Sequence, residues 1–300
     1  MMIVMSKGGL GNQISQYAFS RLLQKKYPNR AIKLDLSWHL VTGVEFELPL
    51  AFERSSLHYE IATKGEMEKV AGLWNYGVIK THITDKVRNK TVKIFMGSKV
   101  HIVREPLISG HPVQLDQLNK EQDWVLDGTW WSQPYISILP ELQAELQFRH
   151  SSAVQYYKWE KEIKSTKAVS LHIRNGDFSG TNRDILPQSN YYKNALRHIQ
   201  KKLGKDITVF VFSNNFSFAN EYVQNLDMEC PFIVVDSTDR EAYTDMQLMS
   251  LCDANICANS TFSVWAAMLG WKEGKIVTCP EWLTENRKNC ENEFSALIAL

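Results

Sequence analysis

Apolar residues recur along this chain with two periods, and the alternation between them outlines an architecture. Met2 to Met5 form an apolar run, KGGLGNQ interrupts it, and Ile14, Tyr17, Ala18 and Leu22 then follow at helical spacing. This predicts a strand over 3–5, a glycine turn and a helix over 12–26 ended by Tyr27-Pro28-Asn29, then a second strand over 31–36. From 37 to about 122 the pattern is weak, supporting a short helix over 63–73 and short strands over 91–95 and 99–103. Leu126-Asp127-Gly128 then leads from another strand into an aromatic segment ending at Tyr135, and a helix is predicted over 139–148 with Pro140 in its first turn.

The carboxyl-terminal half is more regular. Strands are predicted at 168–174, 207–212, 232–235, 254–258 and 275–279, with helices over 190–203, 216–225, 241–252 and 260–270 between them. Strands alternating with helices of this length imply a parallel sheet covered on both faces. The fold class is therefore α/β, with two facing Rossmann-like domains and a parallel sheet in each. The polar stretch 158–167 marks the boundary, giving domains 1–157 and 158–300 with a ligand cleft expected between them.

Composition narrows this only a little. Hydrophobic residues at 44% and charged residues at 22% fit a soluble globular chain with an ample core. The net charge of +1 gives no general attraction to nucleic acid or to an acidic membrane. The opening apolar run is too short for a signal peptide or a membrane span. Five cysteines without CxxC spacing suggest reduced thiols and no zinc site, so a cytoplasmic location is expected, with peripheral membrane contact at most.

Candidate chemistry gathers at strand ends. In AVSLHIRNGD, His172 and Arg174 share one side of a strand that stops at Asn175-Gly176-Asp177. Open α/β sheets bind ligands at that end, and a guanidinium suits phosphate oxygens in charge and geometry. Within GGLGNQ, Gly9 and Gly11 match two of three glycines of a dinucleotide fingerprint, with Asp35 at a plausible distance, but Ile14 stands where the third is needed. A turn that brings backbone close to a ligand is the broader reading. Asn259-Ser260-Thr261-Phe262-Ser263 opens a helix; Ser260 or Thr261 would cap it, and the remaining hydroxyls and amides suit a phosphate. Ser213-Asn214-Asn215 reads as turn chemistry, while Trp130, Trp131 and Tyr135 suit either a sugar platform or buried core. No Walker loop, HExxH helix, GxSxG elbow or Asp-x-Asp pair is present, so a bound diphosphate would depend on Arg174 and helix amino termini.

Together GGLGNQISQYAF, LDGTWWSQPYI, HIRNGD and EAYTDMQLMSLCDANICANSTFSVWAAMLG resemble the bacterial α1,2-fucosyltransferases of glycosyltransferase family 11, along nearly the whole chain. The resemblance implies a GT-B architecture and inverting, metal-independent transfer of L-fucose from GDP-β-L-fucose to the 2-hydroxyl of a terminal galactose. The implied setting is a surface glycan or O-antigen repeat, with the acceptor lipid-linked. It implies that Arg174 holds the β-phosphate, that His172 lies near the nucleotide, and that Ser260, Thr261, Phe262 and Ser263 surround the diphosphate. Asp245 would read the guanine edge, and Gly9, Gly11, Asn12 and Gln13 would close the cleft from the acceptor side, Asn12 as a catalytic candidate. This chain departs from the family pattern at Asn175, where a second arginine is usual, and at Asn214 and Asn215, where aspartates are common.

Asp177 is the nominee for the base that deprotonates the acceptor, with Asp184 second. Two other readings stay open: an NAD-dependent oxidoreductase built on Gly9, Gly11 and Asp35, and a non-catalytic sugar-nucleotide or glycan-binding module.

Overall fold

The computed structural model of the chain describes residues 1–71, 101–104, 115–118, 121–130, 135–175, 190–226, 229–236, 241–280 and 297–299. They form two compact units, Met1–Glu145 and Leu146–Leu300. The division comes earlier than the polar stretch at 158–167 suggests, because that stretch is no linker. Val154–Lys164 is a helix whose Tyr156, Trp159 and Ile163 are buried at three- and four-residue spacing. It packs on the Ala242–Leu251 helix of the second unit, and its lysines and glutamates are the solvated face.

The first unit holds a five-stranded sheet with every pairing parallel, in the order β3-β2-β1-β5-β4. The strands are β1 (Met2–Met5), β2 (Ile32–Asp35), β3 (Glu60–Ile61), β4 (His101–Arg104) and β5 (Trp124–Asp127). The helix Leu10–Lys26 follows β1 and begins two residues earlier than its apolar pattern predicts, at Leu10. The weakly patterned region resolves into short pieces: helices Ser37–Thr42 and Leu48–Ala51, the two-residue strand β3, and the expected helix at Lys64–Ala71. Segments this short give periodicity too few repeats to register. The strand expected at 91–95 lies outside the described residues, and the one expected at 99–103 is β4.

The second unit holds a six-stranded parallel sheet, β11-β10-β9-β6-β7-β8. Its strands are β6 (Ala168–Ile173), β7 (Thr208–Ser213), β8 (Phe232–Val234), β9 (Ala254–Ile256), β10 (Ile276–Cys279) and β11 (Leu297–Ala299), the last unanticipated by the sequence pattern. All six residues of β6 are buried, as a central parallel strand requires. Val169, Leu171 and Ile173 pack with Tyr191, Tyr192, Ala195, Leu196 and Ile199 of the Asn190–Leu203 helix. Burying each such Leu or Ile is worth about 1.5–3 kcal/mol.

The other face of β6 meets a different pair of helices. Asn255 Nδ2 donates to Ser170 Oγ at 2.6 Å and to the Met249 carbonyl at 2.8 Å, tying β6 and β9 to the Ala242–Leu251 helix. That helix packs closely on Thr261–Leu269. A Cβ on Gly270 would lie 1.9 Å from the Ser250 carbonyl oxygen, so only glycine permits this approach. Lys275 Nζ bonds both the Ser250 and Gly270 carbonyls, at 3.0 and 3.1 Å, joining the ends of the two helices. Burial pushes its ammonium down to about 8.

In both sheets the chain reverses direction beside its first strand. From β6 it runs outward through β7 and β8, then returns to β9 on the other side. From β1 it runs through β2 and β3, then returns to place β5 on the other side. Each reversal opens a crevice beyond the carboxyl ends of two neighbouring strands, where ligands of such sheets bind.

Candidate active site

The crevice of the second unit brings together the two stretches singled out in the sequence. Arg174 and Asn175 leave the end of β6, and residues 257–260 leave the end of β9, which is hydrogen-bonded beside it. The His172 ring lies 5.8 Å from the ring of Phe262, in the first turn of the Thr261–Leu269 helix. Arg174 is half-buried, and its charge acts directly on His172.

His172 is enclosed. Burial, with the neighbouring Arg174 charge, lowers its pKa to about 3, so the ring is neutral at physiological pH. Its Nδ1 has no hydrogen-bond partner among the described residues. Its carbonyl accepts a bond from Tyr192 Oη at 3.0 Å, which fixes the strand from the opposite face. A neutral imidazole here adds no charge to that of Arg174.

The helix start departs in part from expectation. Ser260 is the N-cap residue, in extended backbone, but its hydroxyl accepts from no first-turn amide. Ser263 is fully buried, and its hydroxyl donates back to the Ser260 carbonyl at 3.1 Å and to the Ala258 carbonyl at 3.4 Å. Of the hydroxyls expected to surround a diphosphate, that of Ser263 is committed to the backbone. Amides of a helix start carry partial positive charge and are suited to an anion. Asp245 stands in the first turn of the Ala242–Leu251 helix, half-buried. Asp177 and Asp184 lie outside the described residues.

A contact that the sequence reading treated as turn chemistry lies beside Arg174. The Asn175 backbone N–H donates to Asn214 Oδ1 at 3.0 Å, and Asn214 Nδ2 donates to the Asn175 carbonyl at 2.6 Å. Asn215 caps the Phe216–Gln224 helix, its Oδ1 accepting from Phe218 N–H at 3.0 Å. Two asparagines directly after a strand were the available signal.

The crevice of the first unit is built differently. Gly8 has φ +78°, and a Cβ there would meet Asn12 Nδ2 at 2.5 Å, so both backbone and space require glycine. Gly9 is the N-cap residue of Leu10–Lys26, with open space where a Cβ would be, while Gly11 is buried within the helix. Gln13, expected to border a ligand, is fully buried. Its Nε2 donates to the Gly8 and Glu45 carbonyls at 2.9 and 3.0 Å, and its Oε1 accepts from Glu47 N–H at 2.8 Å. Gln16 does the same for the carbonyls of Lys7 and Gly128 and for the Lys7 amide.

The remaining polar groups of this crevice also hold one another. Lys7 pairs with Asp127 across the ends of β1 and β5. His39 Nδ1 donates to the Val44 carbonyl at 2.9 Å, leaving Nε2 to accept from the Ser6 hydroxyl at 3.0 Å. Burial lowers the His39 pKa, consistent with that neutral tautomer. Asp35 accepts from the Ser37 amide and hydroxyl at 2.8 and 2.9 Å, and burial raises its pKa. It is turned toward its own chain, not outward as a ribose acceptor, and Ile14 fills the core where a dinucleotide turn needs its third glycine. Trp130 belongs to the core: it is fully buried, stacked on Phe19 at 4.2 Å, and its carbonyl accepts from Tyr135 Oη. Trp131 lies outside the described residues.

Among the described residues no group of three or more His, Cys, Asp or Glu could hold a metal ion, and no helix is long and apolar enough to cross a membrane.

Comparison with known proteins gives one family. The family model described as glycosyl transferase family 11 matches residues 1–297. An O-antigen biosynthesis glycosyltransferase of Escherichia coli, WbnK, is 28% identical over 94% of this chain and 95% of its own length. An α-1,2-colitosyltransferase of the same organism is 24% identical over 90% of this chain and 88% of its own. Among solved structures, the fucosyltransferase NodZ from Bradyrhizobium superposes with a TM-score of 0.56 at 15% identity, over 89% of this chain and 92% of that one. A mutant of Arabidopsis thaliana FUT1 in complex with GDP does so with a TM-score of 0.52 at 14% identity, over 93% and 69%. The fold is that of the GT-B fucosyltransferases.

Proposed function

The chain belongs to glycosyl transferase family 11, and on that premise we propose that it transfers L-fucose from GDP-β-L-fucose to the 2-hydroxyl of a terminal galactose, with inversion and without a metal. One observation carries the assignment of the donor site. Arg174 leaves β6 and the Thr261–Leu269 helix follows β9, its neighbour across the chain reversal of the second sheet, and the His172 and Phe262 rings lie 5.8 Å apart. A guanidinium beside helix amides is suited to a diphosphate. Asp245 is assigned to the guanine edge, where a carboxylate accepts from the ring and amino N–H groups. Gly9 and Asn12 of the first unit are assigned to the acceptor.

The chemistry follows from charge. The bond between fucose C1 and the β-phosphate oxygen breaks, and its electron pair leaves with GDP. Arg174 and the helix amides stabilise that charge as the sugar gains oxocarbenium character. The galactose 2-hydroxyl oxygen attacks C1 from the face opposite the leaving group, and its proton passes to a base, for which Asp177 is the nominee, or to water. His172, held neutral by burial and the Arg174 charge, adds no charge of its own at the phosphate.

The name of the Escherichia coli relative WbnK supports O-antigen synthesis as the setting. A lipid-linked repeat at the cytoplasmic face of the membrane is the acceptor we assign within the same proposal. Incubation with GDP-fucose and a panel of galactosides, followed by GDP release and linkage analysis, tests the proposal. A new α1,2 linkage is expected, and GDP binding without turnover on any galactoside would instead favour a binding module. Activity should survive excess EDTA, and a collapse restored by Mn²⁺ would overturn the metal-free reading. The colitosyltransferase relative supports one further comparison, with GDP-colitose as donor on the same acceptors.

A further inference from the structure

We infer that Asn214 is a positioning residue for Arg174, acting through the backbone of Asn175; this rests on the assignment of Arg174 to the leaving diphosphate. The strands β6 and β7 pair in register up to Ile173 and Ser213, so Arg174 and Asn214 emerge side by side. There β7 turns away. The Asn215 amide bonds Ser213 Oγ at 3.1 Å, and the Asn215 side chain caps the next helix. The backbone of β7 can therefore add no further rung to β6. The Asn214 side chain supplies one instead, accepting from Asn175 N–H and donating to the Asn175 carbonyl. The Arg174 backbone is thus held on both sides, by the sheet at Ile173 and by this amide at Asn175.

Only a carboxamide makes both bonds at this position. An aspartate at 214 could accept from the Asn175 amide but would set a second acceptor against its carbonyl. Asn214 is exposed, so the pair of bonds contributes little to the core and can be removed without opening it. Its effect should fall on the orientation of Arg174, whose value depends on meeting charge that develops during the reaction.

The test is a double-mutant cycle of Asn214→Ala with Arg174→Lys, reading kcat and KM for GDP-fucose and the melting temperature. Asn214→Ala should lower kcat by about 10-fold while KM changes by less than about 3-fold. On the Arg174→Lys background the same substitution should change kcat by less than about 2-fold, because the oriented group is already altered. Asn214→Asp should not restore activity, whereas Asn215→Asp, which keeps the helix cap, should match the parent. Equal losses on both backgrounds, or wild-type kcat in Asn214→Ala, would overturn the inference. Full activity in Arg174→Lys and Arg174→Ala would instead remove the donor-site assignment itself, so the two failures are distinguishable.

Discussion

The two crevices share a plan and differ in where their polar groups are spent. Each lies beside the first strand of a parallel sheet, and each is entered by a strand, a short turn and a helix. In the first unit nearly every named polar side chain is turned inward. Gln13 and Gln16 bind backbone, Lys7 pairs with Asp127, Ser6 bonds His39, and Asp35 holds Ser37. Neither helix start has a side-chain cap, Gly9 standing there in the first unit and Ser260 in the second, so the difference lies in the side chains. In the second crevice Arg174 is half-buried at the strand end and His172 Nδ1 is buried without a partner among the described residues. Groups satisfied within the protein define scaffold, whereas a guanidinium and an unpartnered buried nitrogen at a strand end are suited to an external ligand. The second crevice is thus the stronger candidate for a charged ligand, and the first holds its shape without one.

The largest expected effect tests the charged side of that contrast. Arg174→Ala should lower kcat by about 100-fold or more and weaken GDP binding, since it removes the side-chain cation assigned to the leaving group. Calorimetric titration with GDP checks the affinity, and unchanged binding would break the comparison. The matching change in the first unit should act on stability alone. Gln13→Ala empties a fully buried side-chain site and leaves three part-buried backbone groups without their partner, and should cost about 1–3 kcal/mol in denaturant unfolding. GDP affinity in that variant should stay within about 2-fold, because the GDP site is assigned to the other unit. Loss of affinity without loss of stability would place Gln13 at a ligand.

The sequence was legible where apolar residues repeat often enough and opaque where contact is made by one side chain. The Asn190–Leu203 helix was read to its end residues because Tyr192, Ala195, Leu196 and Ile199 repeat over several turns. The polar composition of 158–167 reads as a boundary because the charged face of the Val154–Lys164 helix outweighs Tyr156, Trp159 and Ile163 in the stretch. His172 and Arg174 could be named from alternation at a strand end. Gln13 could not be told from a ligand-binding residue, since polarity at a helix start says nothing about which way the amide turns. Asn214 looked like an ordinary turn because the partner it grips is backbone, which carries no sequence signal.

Acid separates the two crevices by their histidines. His172 has a folded pKa of about 3, well below the ordinary 6.5, so the unfolded chain binds the proton more readily. Stability from this group is fully present above about pH 6.5 and is lost progressively as pH falls toward 3. His39 is also lowered by burial, with the same sign, but both of its ring nitrogens are already bonded. Melting temperatures taken from pH 7 to pH 4 should therefore fall less steeply for His172→Phe than for the wild type. An unchanged slope would mean that His172 does not remain neutral in the folded protein over this range.

The smallest effect is expected at adjacent glycines of the first turn, and it tests whether that crevice admits a ligand at all. Gly8→Ala places a side chain at φ +78° and against Asn12, which should cost about 1–2 kcal/mol. Gly9→Ala meets nothing within 4 Å and should change stability by less than about 0.5 kcal/mol. A methyl group in that open space matters only if something approaches Gly9 from outside. A raised acceptor KM in Gly9→Ala, with GDP-fucose KM and melting temperature unchanged, would show the acceptor beside this glycine. Unchanged acceptor kinetics would leave the first turn as scaffold on both counts and move the acceptor to other residues.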